Sequence, residues 1–162
     1  MRSDGVIRNG KARMRTFVAI LAVSASAGAA WAGGREAFVD YYATASTLIG
    51  ALNGMAADLE RLDLPSGEFS DDVADDIRSR LIKAREGFNS LLTSDDHTSE
   101  LNEGYILYID KMLLALMLAK EYRERGGPEE RARLVKIIAE SNELRAEMNA
   151  KVKHDKKSWG LD

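Results

Sequence analysis

Eight positions, Phe38, Tyr41, Ala45, Leu48, Leu52, Met55, Leu59 and Leu62, follow one another at alternating steps of three and four. That spacing averages 3.5 residues and lays all eight along one stripe of a single helix. A stripe held this long commits the chain to helix-on-helix packing of the coiled-coil kind. The first helix is therefore expected over residues 35–62, ending at Asp63-Leu64-Pro65-Ser66-Gly67.

The same alternation recurs downstream. Ala74, Ile77, Leu81, Ala84, Phe88 and Leu91 predict a second helix over 70–92, with the Ser70 hydroxyl as its cap. Thr98 or Ser99 is the expected cap of a third helix over 99–125. Gly126-Gly127-Pro128-Glu129-Glu130 ends that helix and opens a fourth. Glycine suits a helix end, proline a first turn, and acids the positive N-terminus. Leu134, Ile137, Ser141, Leu144 and Met148 carry the fourth helix over 128–153. Pro65 and Pro128 are the only two prolines, and both sit at breaks. No segment alternates like a strand. Short connections favour sequential antiparallel neighbours, so the expected fold is all-α, an up-down-up-down four-helix bundle.

Residues 1–32 do not belong to that pattern. Arg2, Arg8, Lys11, Arg13 and Arg15 give a basic start, a small-residue apolar run extends from Phe17 to Ala30, and Ala30-Trp31-Ala32 has the A-x-A form cut by signal peptidase. The expectation is a secretory signal over 1–32, with Met14 as an alternative start, and one mature domain over 33–162. The apolar run is shorter than the roughly 20 residues of a membrane-crossing helix. The chain has no cysteine, which excludes a lipid-modified cysteine at the cut and any disulfide. The protein is expected outside the cytoplasm, in the periplasm or beyond.

Removing 1–32 takes away five basic residues and one acid, leaving 18 Lys plus Arg against 25 Asp plus Glu. That acidic balance argues against a nucleic-acid partner, because phosphate binding needs a basic footprint. The one basic stretch is the tail, Lys151 to Trp159. Its ordinary use is to complement a helix C-terminus; its functional use would be peripheral contact with an anionic membrane surface, with Trp159 at the interface.

Two helices are more apolar than a solitary bundle requires. No charge occurs between Asp40 and Asp58, and the face opposite the stripe is Ala43, Thr47, Gly50, Gly54 and Ala57. Two glycines there weaken the helix by about 1 kcal/mol each relative to alanine, and their use would be close approach of another backbone. The alternative is a small, uncharged face that meets water. In the third helix, Tyr105 to Ala119 is apolar apart from Asp110 and Lys111. Leu107, Leu114 and Leu118 project outside its core arc, so either a terminal segment or a second chain covers them.

Tyr41, Tyr105 and Tyr108 lie at similar depths in two helices that such a bundle makes parallel. Phe88 and His154 are expected at the same end, giving a candidate tyrosine-lined site for a small planar or apolar ligand. Ordinary core with hydroxyls at the wet end is the competing reading. Haem is disfavoured, since C-x-x-C-H is absent. A di-iron carboxylate site is disfavoured because neither His97 nor His154 has a glutamate three residues earlier. Asp71, Asp72, Asp75 and Asp76 lack the glycine turn of a calcium loop and suit a helix N-terminus instead. Asp95-Asp96-His97 reads as a capped loop. No nucleophile elbow or phosphate cradle occurs. The expectation is a non-enzymatic exported protein with no cofactor and no metal, acting through protein contacts and self-associating. A small-molecule carrier or sensor built on the tyrosine site is the alternative.

Overall fold

The computed structural model describes residues 10–161, with side-chain surroundings from Gly33 to Leu161. The described residues form four α-helices and no strand: α1 Gly10–Arg61, α2 Asp71–Asn89, α3 Asp96–Arg125 and α4 Pro128–Ser158, with a 3-10 turn at Leu64–Ser66. The all-α expectation holds. The start at Met14, the A-x-A cut and the basic N-terminal residues fall outside the residues whose side chains are described. Among the described residues no helix is long and apolar enough to cross a membrane. The chain divides into two compact units, Met1–Glu36 and Ala37–Asp162.

The buried core belongs to the second unit, and the α1 stripe forms one of its walls. Phe38, Tyr41, Ala45, Leu52 and Met55 are buried, joined by Ile49 and Ala56. Leu48, Leu59 and Leu62 are only half-buried, because a helix of 3.6 residues per turn drifts off a strict 3.5 repeat. On α2, Ala74, Ile77, Leu81, Ala84 and Phe88 are all buried.

Charged pairs fix how the helices run. Between α2 and α3, Asp71 meets Arg123 at 2.7 Å, Asp75 meets Lys120 at 2.7 Å and Arg85 meets Asp110 at 2.7 Å. Between α3 and α4, Glu100 meets Lys151 at 2.7 Å and Lys111 meets Glu140 at 2.6 Å. In both pairs one partner's number falls as the other's rises, so these neighbours are antiparallel. Helix α1 touches α2 through Asp58 and Arg80 at 3.0 Å, and α4 through Glu60 and Arg145 at 2.6 Å.

Several boundaries differ from expectation. Ser70 sits at the start of α2, yet its hydroxyl makes no capping bond. Helix α3 starts earlier than expected because Asp95 takes the cap: its Oδ1 accepts the Thr98 N–H at 2.8 Å, and Thr98 Oγ1 accepts the Asp95 N–H at 3.4 Å. A carboxylate accepts more strongly than a hydroxyl, and this reciprocal box places Thr98 inside the helix rather than before it. Helix α4 runs to Ser158 instead of fraying near Lys153. Val152 and Asp155 are buried there, so core contact holds the last turns. Gly67 closes the 3-10 turn at φ 74, a left-handed conformation suited to glycine.

Candidate functional site

Tyr41 on α1 and Tyr105 on α3 come to one buried layer, 2% and 3% exposed. The Phe88 ring stacks on Tyr105 with centroids 5.1 Å apart. One turn earlier on α3, Asn102 donates its Nδ2–H to the Phe88 carbonyl at 3.1 Å. That bond orients the amide and leaves Oδ1 without a partner. The Tyr41 and Tyr105 hydroxyls are also buried and unpartnered. Burial pushes both phenols well above their ordinary value, helped by Tyr105 beside Tyr41 and by Tyr42 beside Tyr105. They remain neutral over any physiological pH, so they are able to offer hydrogen bonds to a ligand but not to act as bases.

The other two members of the expected tyrosine site lie elsewhere. Tyr108 is buried and its pKa is raised by burial, against an opposing pull from Arg145, which hydrogen-bonds it. It faces a cleft shared with the end of α1 and with α4. His154 is exposed on α4, with Nε2 3.4 Å from Ser158 Oγ. Although exposed, His154 lines a shallow cleft with His97, Leu101 and Asp155, whose lining includes neither Tyr41 nor Tyr105.

A different histidine reaches the aromatic end. His97 Nε2 lies 2.9 Å from Asp155 Oδ2, and Asp155 is buried. The Trp159 ring stands edge-on to His97 at 6.0 Å and packs on Phe38 at 4.8 Å. Phe38 stacks on Tyr42 at 5.7 Å, and the Lys156 ammonium lies 5.6 Å from the Tyr42 ring centroid. Trp159 is thus folded back against α1 and the start of α3. The early start of α3 is what sequence reasoning missed: it brings His97 onto the helix, one turn before Leu101. Among the described residues no group of three His, Cys, Asp or Glu is placed to hold a metal.

The outward faces follow the sequence more closely. Ala43, Thr47, Gly50 and Gly54 are exposed and Ala57 is half-buried. A Cβ added at Gly50 or Gly54 meets nothing within 4 Å. On α3, Leu107 is 50% and Leu114 36% exposed, with Met117 beside them at 58%. Leu118 departs from expectation at 5% exposed. Helix α3 packs against both α2 and α4, which widens its buried arc beyond one stripe.

The chain matches no family model, no curated protein and no solved structure. The functional reading therefore rests on these residues alone.

Proposed function

We propose that the protein is an exported, non-enzymatic up-down-up-down four-helix bundle that acts by self-association through the outward face of α1. The observation that carries this is the open space over Gly50 and Gly54. Each glycine weakens its helix by about 1 kcal/mol, and no described part of the chain uses the room it leaves. Ala43, Thr47 and Ala57 extend that face with small, uncharged side chains, over which two helices pack closely. Leu107 and Leu114 offer a second apolar strip on α3 to a further partner. The folded-back Trp159 weighs against the tail as a membrane anchor.

The test is a native mass spectrum of the purified chain beside its Gly50→Leu/Gly54→Leu variant. The wild type is expected as two or more chains, and the variant as one. The same spectrum reports whether the subunit has lost 1–32. If the leucines block only a wet surface, the variant keeps the wild-type mass. In either case helix propensity makes the variant monomer more stable, by about 1 kcal/mol per glycine.

One observation favours the carrier as a second reading: three orphaned polar atoms belong to neighbouring side chains, Tyr105 Oη and Asn102 Oδ1 on residues that touch Phe88 and Tyr41 Oη beside Tyr105. A ligand satisfying them would travel with the purified protein as reproducible added mass.

A further inference from the structure

A cleft of about 230 Å³ opens where the end of α1 and the 3-10 turn meet the middle of α3 and α4. Its floor is apolar, with Leu59, Leu64, Met112 and Ile138. Glu60, Asp63, Ser141 and Asn142 supply polar edges, so the lining holds two carboxylates and no cationic side chain. Arg145 stands outside the lining. It binds Glu60 Oε1 at 2.6 Å and also hydrogen-bonds Tyr108, which commits its charge before any ligand arrives.

Asp63 has the only positive φ of a non-glycine residue among those described, at 44°. Asp63 is exposed and lines the cleft at this left-handed turn. Among the described residues its carboxylate makes no ion pair and caps no helix. An acidic edge with an unused carboxylate over an apolar floor is complementary to a molecule with a cationic head and a short apolar body. A carboxylate ligand would meet the unpaired Asp63 instead, since the Glu60 charge is already matched by Arg145.

We propose that this cleft binds a small organic ammonium ion, its alkyl or ring portion on the Leu59–Leu64–Met112 floor and its cationic head at Asp63, with Glu60 alongside. The volume sets the size. At about 230 Å³ the cleft falls below the roughly 300–1,000 Å³ of drug-sized sites, which suits a small ligand. The net charge of −3 favours the approach of cations in general. The proposal is independent of the α1 interface, because the cleft lies beyond the Gly50–Gly54 face.

The probes are n-hexylamine, n-hexanol and hexanoate, titrated at neutral pH into the full chain and followed through the backbone amides of Leu64, Ala115 and Ser141. Hexylamine is expected to shift these amides and to bind about fivefold more tightly than hexanol, the upper range for one partly exposed charge pair. Asp63→Asn, which suits a left-handed backbone equally well, should bring hexylamine down to the hexanol affinity and leave hexanol unchanged. Equal binding of amine and alcohol, tighter binding of hexanoate, unmoved cleft amides, or an Asp63→Asn variant with full amine affinity would each overturn the proposal.

Discussion

Tyr41 and Tyr105 each bury a hydroxyl that no described group satisfies, and a buried unpaired polar atom costs about 1–3 kcal/mol. Replacing either with phenylalanine keeps the ring and removes the cost. Tyr41→Phe and Tyr105→Phe are each expected to stabilise the protein by about 1 kcal/mol in urea unfolding. A loss of stability would instead show that the hydroxyls have partners in solution. The same groups govern alkaline unfolding. Their folded pKa values lie above the ordinary 10.0, so above that pH the unfolded chain releases protons that the folded chain retains. The contribution of these two phenols is therefore level below pH 10 and falls as pH rises beyond it, by about 1.4 kcal/mol per pH unit for each tyrosine. The double phenylalanine variant should lose that part of the slope. Register counting along α1, α2 and α3 was enough to gather Tyr41, Phe88 and Tyr105. It did not separate Tyr108 from Tyr105, since residues three apart differ by only about 60° around a helix. That angle turns Tyr108 towards Arg145 and the cleft.

Helix existence was legible from apolar spacing, whereas helix ends were settled by competition the spacing does not contain. Ser70 and Asp95 both fit a capping pattern, but only Asp95 receives an amide. Asp95→Ala should therefore cost about 1 kcal/mol in thermal or urea unfolding, while Ser70→Ala should leave stability nearly unchanged. Equal losses would contradict the cap geometry. The end of α4 was hidden for another reason. Its last turns are held by Asp155 against His97, followed by Trp159 against Phe38, contacts between segments far apart in the chain. The same contacts put His97 where His154 was expected. The ion pairs that line the helix edges, such as Glu100 with Lys151, are exposed and add little each. They mark which helices are neighbours more than they hold them together.

For the whole molecule, the uncharged α1 face and the over-apolar α3 are legible in the sequence, because both are matters of residue type along a helix. The 230 Å³ cleft is not, since it depends on how a left-handed Asp63 turns the chain after α1. Nor is the burial of Leu118, which requires α3 to have neighbours on two sides. The proposed self-association depends on the α1 surface, and the absence of native cysteine makes that surface easy to address. The most direct measurement is cross-linking of single-cysteine variants with a short bismaleimide. Thr47→Cys and Gly54→Cys place the thiol on the proposed interface, and Ser79→Cys places it on the exposed side of α2 as a control. Self-association through α1 predicts covalent dimers from the two α1 variants at micromolar protein and monomers from Ser79→Cys. Monomers throughout, or dimers only from the control, would contradict it.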